Sequence, residues 1–547
     1  MKKDISMKKS TFIKGAFITT LGIVISKILG ILYVIPFHAV IGDEGGALYG
    51  YAYTIYLLFM SLSSAGIPLA ISKVVSEYQA LGYYSAKKRA FILGKKLAMV
   101  MGMFSFILLM IFAPVLARWI LGDLTGGNTI QSVTSVIRVI ATAVLVVPVL
   151  SVYRGYFEGH RFMSPPSISQ VIEQIVRIII IVIGSFLVLD IFKLSLTTSV
   201  GVALFGATVG ALVSYFYLSV KLKKNSKKFN EKIRSVNEPI ISNKTIFRKI
   251  IIYSVPFIMI DIFKAMYNYV DMVTVVKSLV KVAKFSVMDA EVVMSMLSTW
   301  GSKFNMIILS VSTGVVVSLI PNLTQSFVKN DKKDMNKKIN QTLSILFFLM
   351  IPMTLGISFL AEPIWMVFYG NSKYGPNILS YYIFAGLCIG LFTAIVSVVQ
   401  VLKDYKSVFI SLISGIIVKV LLNSSLINAF YKLGLPAYYG VITATIIGYL
   451  VSFVICLVVL ANKYKINFEE SVKHFVDILC AALFMFIVLY AVNLIVPVCV
   501  DNRFMNIFII LLYTVIGAVV YFIFLIKTKT INSIFNNKLD RYVKRVK

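Results

Sequence analysis

The chain has 547 residues, of which 59% are hydrophobic and only 14% are charged, and its mean hydropathy is +0.88. A soluble core could not absorb so much apolar sequence, which excludes a soluble protein and indicates an integral membrane protein. The formal net charge is +31, but lysine and arginine concentrate in every second loop, as the positive-inside rule describes, so nucleic acid is not an expected partner.

Fourteen apolar runs are long enough to cross a hydrocarbon core, which takes about 20 residues. The first six predicted helices lie near 12–41, 48–72, 92–117, 133–153, 166–189 and 198–220. The next six lie near 249–276, 294–325, 341–368, 378–402, 406–428 and 438–461, and a final pair lies near 474–496 and 503–527. We therefore expect an all-α polytopic membrane protein with two six-helix lobes and a C-terminal helix pair.

The expected domain organisation follows from these helices and from the charge of the loops. It comprises an N-lobe at 1–220, a basic cytoplasmic linker at 221–248, a C-lobe at 249–461, and the last two helices with a basic cytoplasmic tail at 462–547. An even number of crossings with alternating loop charge places both termini in the cytoplasm. The basic N-terminus runs into an apolar stretch too long for a signal-peptide core, so we expect the first helix to be retained.

Two segments suggest that the lobes are internal repeats. In "RFMSPPSISQVIEQIVRIII" Arg177 follows Arg161 by sixteen residues, and in "KDYKSVFISLISGIIVKVLLN" Lys419 follows Lys403 by the same interval. Because both sets of six helices enter from the same side, they are expected to be parallel repeats related by an axis along the membrane normal. The repeat predicts that Arg177 and Lys419 act on one anion from two sides.

Two predicted helices carry a polar face. In the fifth, steps of three, one and three place four residues on one side: Gln170, Glu173, Gln174 and Arg177. In the seventh, steps of three, four and three do the same: Asp261, Lys264, Asn268 and Asp271. Such faces either form internal ion pairs, here Glu173 with Arg177 and Asp261 with Lys264, or line a hydrated cavity, and the two roles can coexist.

Several cations fall inside predicted spans, where each costs at least about 2.5 to 3.5 kcal/mol at a helix centre. We interpret five of them as the substrate-binding cations of a central cavity: Lys27, Arg177, Lys264, Lys303 and Lys419. The other polar residues of both faces, together with Asn423 one turn after Lys419, would complete the cavity lining. Arg138 lies closer to a helix end and is interpreted as a snorkelling side chain.

Motifs for catalysis, nucleotide binding and metal binding are absent from the sequence. The three histidines lack HExxH spacing, there is no GxSxG or GxxxxGK[ST], and the four cysteines lie far apart. We therefore expect no enzyme activity, no metal and no cofactor. The movement of an anion across the membrane would then draw its energy from the membrane potential. Coupling of this movement to Na⁺ or H⁺ through Asp261 or Asp271 stays open.

Three segments together resemble a known family: "SKILGILYVIPF", "SSAGIPLAISKVVSEY" and "YRGYFEGHRFMSPPSISQVIEQIVR". They are similar to the SpoVB/YtgP branch of the MOP flippase superfamily, over nearly the whole chain. The third is the most specific, because a family-motif turn precedes the polar face of the fifth helix. We assign to this turn Arg154, Gly155, Tyr156, Phe157 and Glu158.

The resemblance implies alternating access and export of undecaprenyl-diphosphate-linked sugars, notably the peptidoglycan precursor lipid II, as in MurJ-type flippases. The product would serve cell-wall or spore-cortex synthesis. The resemblance also implies a central cationic cavity, although of the arginines that Gram-negative members carry in the first two helices only one position, Lys27, is cationic here. Implied partners are the lipid-linked glycan, membrane lipids and cell-wall synthesis enzymes.

Three alternatives remain open at the level of sequence. The nearest is a flippase for another lipid-linked polysaccharide. A MATE-type cation-coupled drug exporter of the same superfamily should have a net acidic site, whereas here lysine and arginine outnumber the acidic residues within the spans. A non-transporting scaffold for cell-wall enzymes would need no charges at mid-membrane.

Overall fold

The computed structural model describes residues 26–64, 66–230 and 239–534. All regular secondary structure in these ranges is helical. Three predicted features lie wholly or partly outside the described residues: the start of the first helix in 1–25, the middle of the basic linker in 231–238, and the tail from 535.

Twelve stretches in the described part of the chain are long and apolar enough to cross a membrane. Each of them matches one predicted helix. The two remaining predicted helices are the first, which is described only from residue 26, and the seventh, which is a continuous helix at Asn243–Lys281. The architecture is therefore consistent with the predicted fold of about fourteen transmembrane helices.

The chain divides into two compact units. Unit 1 contains Met1–Lys277 and Phe285–Thr299, and unit 2 contains Ser278–Lys284 and Trp300–Lys547. The whole of the predicted seventh helix, 249–276, and the first part of the eighth thus belong to the same unit as the first six helices.

The described part of unit 1 starts with a helical segment at 26–32. Its further helices are α1 (Val34–Ser63), α2 (Ile67–Leu81), α3 (Tyr84–Leu121), α4 (Ile130–Gly159), α5 (Ser164–Ile179), α6 (Leu196–Asn230), α7 (Asn243–Lys281) and α8 (Val287–Ser295). Short π-helical turns extend α5 at Ile180–Gly184 and Leu187–Ile191, and extend α8 at Met296–Trp300.

The predicted second helix, 48–72, is not continuous. Before this helix begins, a kink at Gly42, with φ of 62°, separates the last residues of the first predicted helix from the rest of α1. The predicted second helix itself is interrupted at Gly66, with φ of 73°, which separates α1 from α2. A Cβ atom on Gly66 would lie 2.6 Å from the carbonyl oxygen of Ser254, so both the backbone conformation and the approach of α7 require glycine here.

The motif from Arg154 to Glu158, predicted to form a turn, is helical and belongs to the last turns of α4. The turn prediction is therefore wrong, and the glycine serves close packing rather than a change of chain direction. A Cβ atom on Gly155 would overlap the backbone of Pro68, so α4 and α2 meet backbone to backbone at this point. Tyr156 packs in the same region, with its ring centroid 4.4 Å from that of Phe91.

Unit 2 contains nine helices among its described residues. They are α9 (Ser302–Val328), α10 (Lys332–Phe359), α11 (Ala361–Tyr369), α12 (Gly375–Val401), α13 (Tyr405–Lys432), α14 (Tyr438–Tyr464), α15 (Glu469–Asn493), α16 (Arg503–Lys527) and α17 (Thr530–Ile534). The predicted helix at 341–368 is thus two helices that meet at Leu360.

The same local geometry recurs in both units at the positions that suggested a repeat. Arg161 and Lys403, just before α5 and α13, both have positive φ, 58° and 59°. Eight residues further on in each case, the Ser169 carbonyl accepts a hydrogen bond from Ser214 Oγ at 2.7 Å, and the Ser411 carbonyl accepts one from Ser452 Oγ at 2.8 Å. The pairs α5 with α6 and α13 with α14 are therefore joined by matching serine hydrogen bonds.

Candidate functional site

The polar face of α5 is half-buried, and its acidic residue has a partner on a neighbouring helix. Arg154 Nη2, on α4, lies 2.6 Å from Glu173 Oε2, and Arg154 Nε donates to Ser169 Oγ at 2.9 Å. The side chains of Arg154 and Glu173 are 15% and 18% exposed to solvent. The ion pair that the sequence suggested between Glu173 and Arg177 is therefore replaced by one between Glu173 and Arg154.

Arg177 instead meets a group of tyrosines. Its guanidinium carbon lies 5.3 Å from the ring centroid of Tyr53, a distance at which a cation is attracted to an aromatic face. Three more tyrosines lie near this guanidinium, within range of its charge. We call these residues the tyrosine cluster: Tyr33, Tyr49, Tyr53 and Tyr56.

The tyrosine cluster is a packed surface rather than a set of loose side chains. The ring of Tyr53 lies 5.6 Å from those of both Tyr49 and Tyr56. Tyr33, Tyr49 and Tyr56 are buried, and Tyr53 is half-buried. Among the described residues no carboxylate lies within ion-pair distance of Arg177, so its positive charge is not neutralised by a protein anion.

Reasoning from the sequence missed both the cluster and the role of Arg154. Tyr49, Tyr53 and Tyr56 follow each other on α1 at steps of four and three, which places them on one helical face. That spacing was visible in the sequence and could have identified the cluster. The partner of Arg154 was not visible, because it depends on how α4 packs against α5.

The structure also places the α5 face beside the helix that carries Lys27. Gln174 Nε2 lies against Gly30, where a Cβ atom would be 3.4 Å from it. Lys27 precedes Gly30 by three residues and therefore shares a helical face with it. Lys27, Gln170 and Gln174 are all half-buried, so unit 1 brings together Arg177, the two glutamines and the helix face of Lys27.

The polar face of α7 belongs to the same unit. Asp261 and Lys264 are half-buried and act on each other electrostatically, and Asp271 is half-buried while Asn268 is exposed. The start of α7 is held to α2 by an ion pair of 2.5 Å between Lys249 and Glu77.

The remaining predicted site residues belong to unit 2. Lys303, on α9, is half-buried. Lys419 has no exposed surface, and its Nζ donates to Thr445 Oγ1 at 2.6 Å between α13 and α14. Asn423 is equally buried one turn later. In this structure Lys419 is thus enclosed by helix packing, and its contact with substrate stays a prediction.

The chemistry of the unit 1 site suits an anion better than a cation. Arg154 and Glu173 neutralise each other, which leaves Arg177 as an arginine that lies over the ring of Tyr53. A planar guanidinium of this kind binds phosphate through two parallel hydrogen bonds. No group of three or more metal-ligating residues occurs in the described ranges.

Comparison with known proteins shows the family. A model for the polysaccharide biosynthesis protein family matches residues 12–326. The lipid II flippase MurJ of Bacillus subtilis (strain 168) is 32% identical over 521 residues, 94% of either chain, and stage V sporulation protein B of that organism is 30% identical over 252 residues, 46% of either chain. A solved structure of lipid II flippase MurJ, in an inward closed conformation, shares the fold, with a TM-score of 0.61 and 18% identity over 93% of this chain and 98% of that one. The chain therefore belongs to the polysaccharide biosynthesis protein family, together with the lipid II flippase MurJ of Bacillus subtilis.

Proposed function

We propose that the protein is a flippase that moves the undecaprenyl-diphosphate-linked peptidoglycan precursor lipid II across the cytoplasmic membrane by alternating access. It is a transporter and not an enzyme. The main support is the 32% identity with the lipid II flippase MurJ of Bacillus subtilis, which extends over 94% of both chains.

The geometry of unit 1 supports the same function. A diphosphate that crosses a membrane needs fixed positive charge along its route, because a buried anion without a partner is costly. Arg177 offers such a charge, since the nearby Glu173 is paired with Arg154 and the guanidinium lies over the ring of Tyr53. Lys27 lies on the adjoining helix face and adds a second cation.

The proposed energy source is the membrane potential. An inside-negative potential favours outward movement of an anion by about 2.3 kcal/mol per charge per 100 mV. This proposal needs no bound nucleotide. We also propose that both termini lie in the cytoplasm, as the loop charges predict.

The nearest alternative is a flippase for another lipid-linked polysaccharide. It is favoured by the match to the polysaccharide biosynthesis family and by the partial match to stage V sporulation protein B, which also supports a role in spore formation. A drug exporter for organic cations is less compatible with the site, because Arg177 has no carboxylate within ion-pair distance among the described residues.

Transport of lipid II can be tested in cells depleted of the protein. We expect lipid II to accumulate in the inner leaflet, and wild-type protein should restore its outward movement. Arg177→Ala should reduce restoration by about tenfold or more, because a hydrogen bond to a charged group contributes about 1.5–3 kcal/mol.

The matched control is Arg138→Ala. Arg138 is an exposed arginine on α4, so its substitution removes the same charge without touching the tyrosine cluster, and it should restore transport fully. Normal lipid II distribution after depletion, with another lipid-linked glycan accumulating instead, would contradict lipid II as the substrate. Equal transport by Arg177→Ala and wild type would contradict the assigned site.

A further inference from the structure

Glu291 on α8 is a buried carboxylate that the proposed transport route does not use. Only 1% of the residue is exposed. Its Oε2 accepts hydrogen bonds from the backbone N–H of Asn128 at 2.9 Å and from the Asn128 side-chain amide at 3.0 Å. Its Oε1 lies 3.4 Å from the hydroxyl of Tyr51, on α1.

These neighbours carry no positive charge. The titratable groups that act on Glu291 are Tyr51 and Glu44, both on α1, and the segment before α4 contributes the neutral Asn128. Among the described residues no lysine, arginine or histidine lies within ion-pair distance of Glu291. Asp404, the other buried acidic residue of the described ranges, differs because Lys463 lies 2.7 Å from it.

A carboxylate in such surroundings favours its neutral form. Removing an ionised carboxylate from water without a cation is costly, and proteins commonly avoid the cost by binding a proton. The geometry accommodates that proton. Oε2 takes both Asn128 donors, while Oε1, with its long contact to Tyr51, is the oxygen that can form the O–H bond.

The burial of Glu291 depends on the packing of α8 against α1. Thr299 Oγ1, two turns after Glu291, donates to the carbonyl oxygen of Gly46 at 2.8 Å. Ser295 lies between these two residues on the same helical face and is fully buried. Separation of α8 from α1 and Asn128 would therefore expose Glu291 to water.

We propose that Glu291 is a proton-binding site that takes up one proton when α8 packs against α1 and Asn128, and releases it when this packing opens. One O–H bond forms at Oε1, and the side chain changes from negative to neutral. The packed arrangement then binds one proton more than the opened one, so acid favours packing and alkali favours opening. Proton binding at Glu291 does not depend on which lipid is transported.

The proton can be detected by infrared difference spectroscopy on the purified full-length protein in lipid nanodiscs. We expect the wild type to show the C=O stretching band of a protonated carboxylic acid at neutral pH, and Glu291→Gln to lose it. The control Asp123→Asn, which alters an exposed carboxylate in the loop after α3, should keep the band. Identical spectra for wild type and Glu291→Gln would overturn the proposal, as would a Glu291-dependent band that vanishes when Na⁺ replaces choline at constant pH.

The link to packing has its own test. Ser295→Cys, in a chain whose native cysteines are replaced by serine, should react faster with a thiol reagent as the pH rises. Any cysteine reacts faster at higher pH because its thiol ionises. The reaction rate of Ser295→Cys is therefore divided at each pH by the rate of Lys223→Cys, an exposed reference position. The ratio should rise by at most about tenfold per pH unit, the limit for one proton, and should stay low in Glu291→Gln. A ratio with the same pH dependence in both proteins would show that packing and protonation are not linked.

Discussion

Glu173 illustrates how one contact decides the chemistry of a site. On the isolated helix its nearest cation is Arg177, one turn away, but the folded chain pairs it with Arg154 on α4 at 2.6 Å. Arg154 also donates to Ser169, so it spans α4 and α5 with two polar contacts. The result is a neutral pair that holds two helices together beside an arginine whose charge is available to a ligand.

Breaking this pair should destabilise the protein. Arg154→Met leaves the carboxylate of Glu173 without a cation, which costs about 3–5 kcal/mol in fully buried pairs. Because Glu173 keeps some exposure, 18%, we expect a loss on the order of 2 kcal/mol. The measurement is thermal unfolding in detergent, followed by the fraction of protein that remains monodisperse.

The double substitution Arg154→Met with Glu173→Leu separates ion pairing from simple loss of a side chain. With both charges removed, no buried charge is left without a partner, so the double variant should be more stable than Arg154→Met alone. If the two substitutions instead destabilise additively, the pair does not stabilise the contact between α4 and α5.

At the scale of helices, α4 and α2 approach each other closely in unit 1. Gly155 lies where a Cβ atom would overlap the backbone of Pro68, and Gly159, one turn later, lies against Ser72 and Val75 in the same way. The Ser76 hydroxyl adds a hydrogen bond to the Gly159 carbonyl at 2.8 Å. Small residues one turn apart let two membrane helices approach closely.

Enlarging this contact should separate the helices. Gly155→Val forces a branched side chain into the Pro68 backbone, and overpacking of this kind costs about 1–3 kcal/mol or more. We expect strongly reduced amounts of folded protein in the membrane. Gly201→Ala on α6 is the control, because a Cβ atom there makes only an ordinary contact of 3.8 Å with Val139. Equal expression of both variants would show that the contact between α2 and α4 tolerates volume.

These two scales show what the sequence could and could not predict. Apolar runs located nearly every helix, because length and hydropathy are local properties. The interruption at Gly66 was missed because it depends on the Ser254 carbonyl of α7. The partner of Glu173 was misassigned for the same reason, since only packing brings Arg154 to it. The spacing of the α1 tyrosines was readable, but their contact with Arg177 was not.

At the scale of the whole molecule, the distribution of charge predicts the orientation in the membrane. Lys223 and Lys224 lie at the exposed end of α6, and Lys332 and Lys333 lie at the exposed start of α10. The segment around Glu44 has acidic residues and no lysine or arginine. Basic loops resist translocation, so the ends rich in lysine should be cytoplasmic and the Glu44 segment should face outward.

Single cysteines test this orientation in intact cells. In a chain whose native cysteines are replaced by serine, Glu44→Cys should react with a membrane-impermeant thiol reagent from outside, and Lys224→Cys only after the membrane is opened. Both positions are exposed, so a difference between them reports the side of the membrane and not burial. A chain that retains only the buried Cys388 should react in neither condition until it is denatured. Five predicted crossings separate the two positions, and an odd number of crossings places them on opposite faces of the membrane. Reaction of both engineered cysteines from the same side would therefore contradict the fourteen-helix topology.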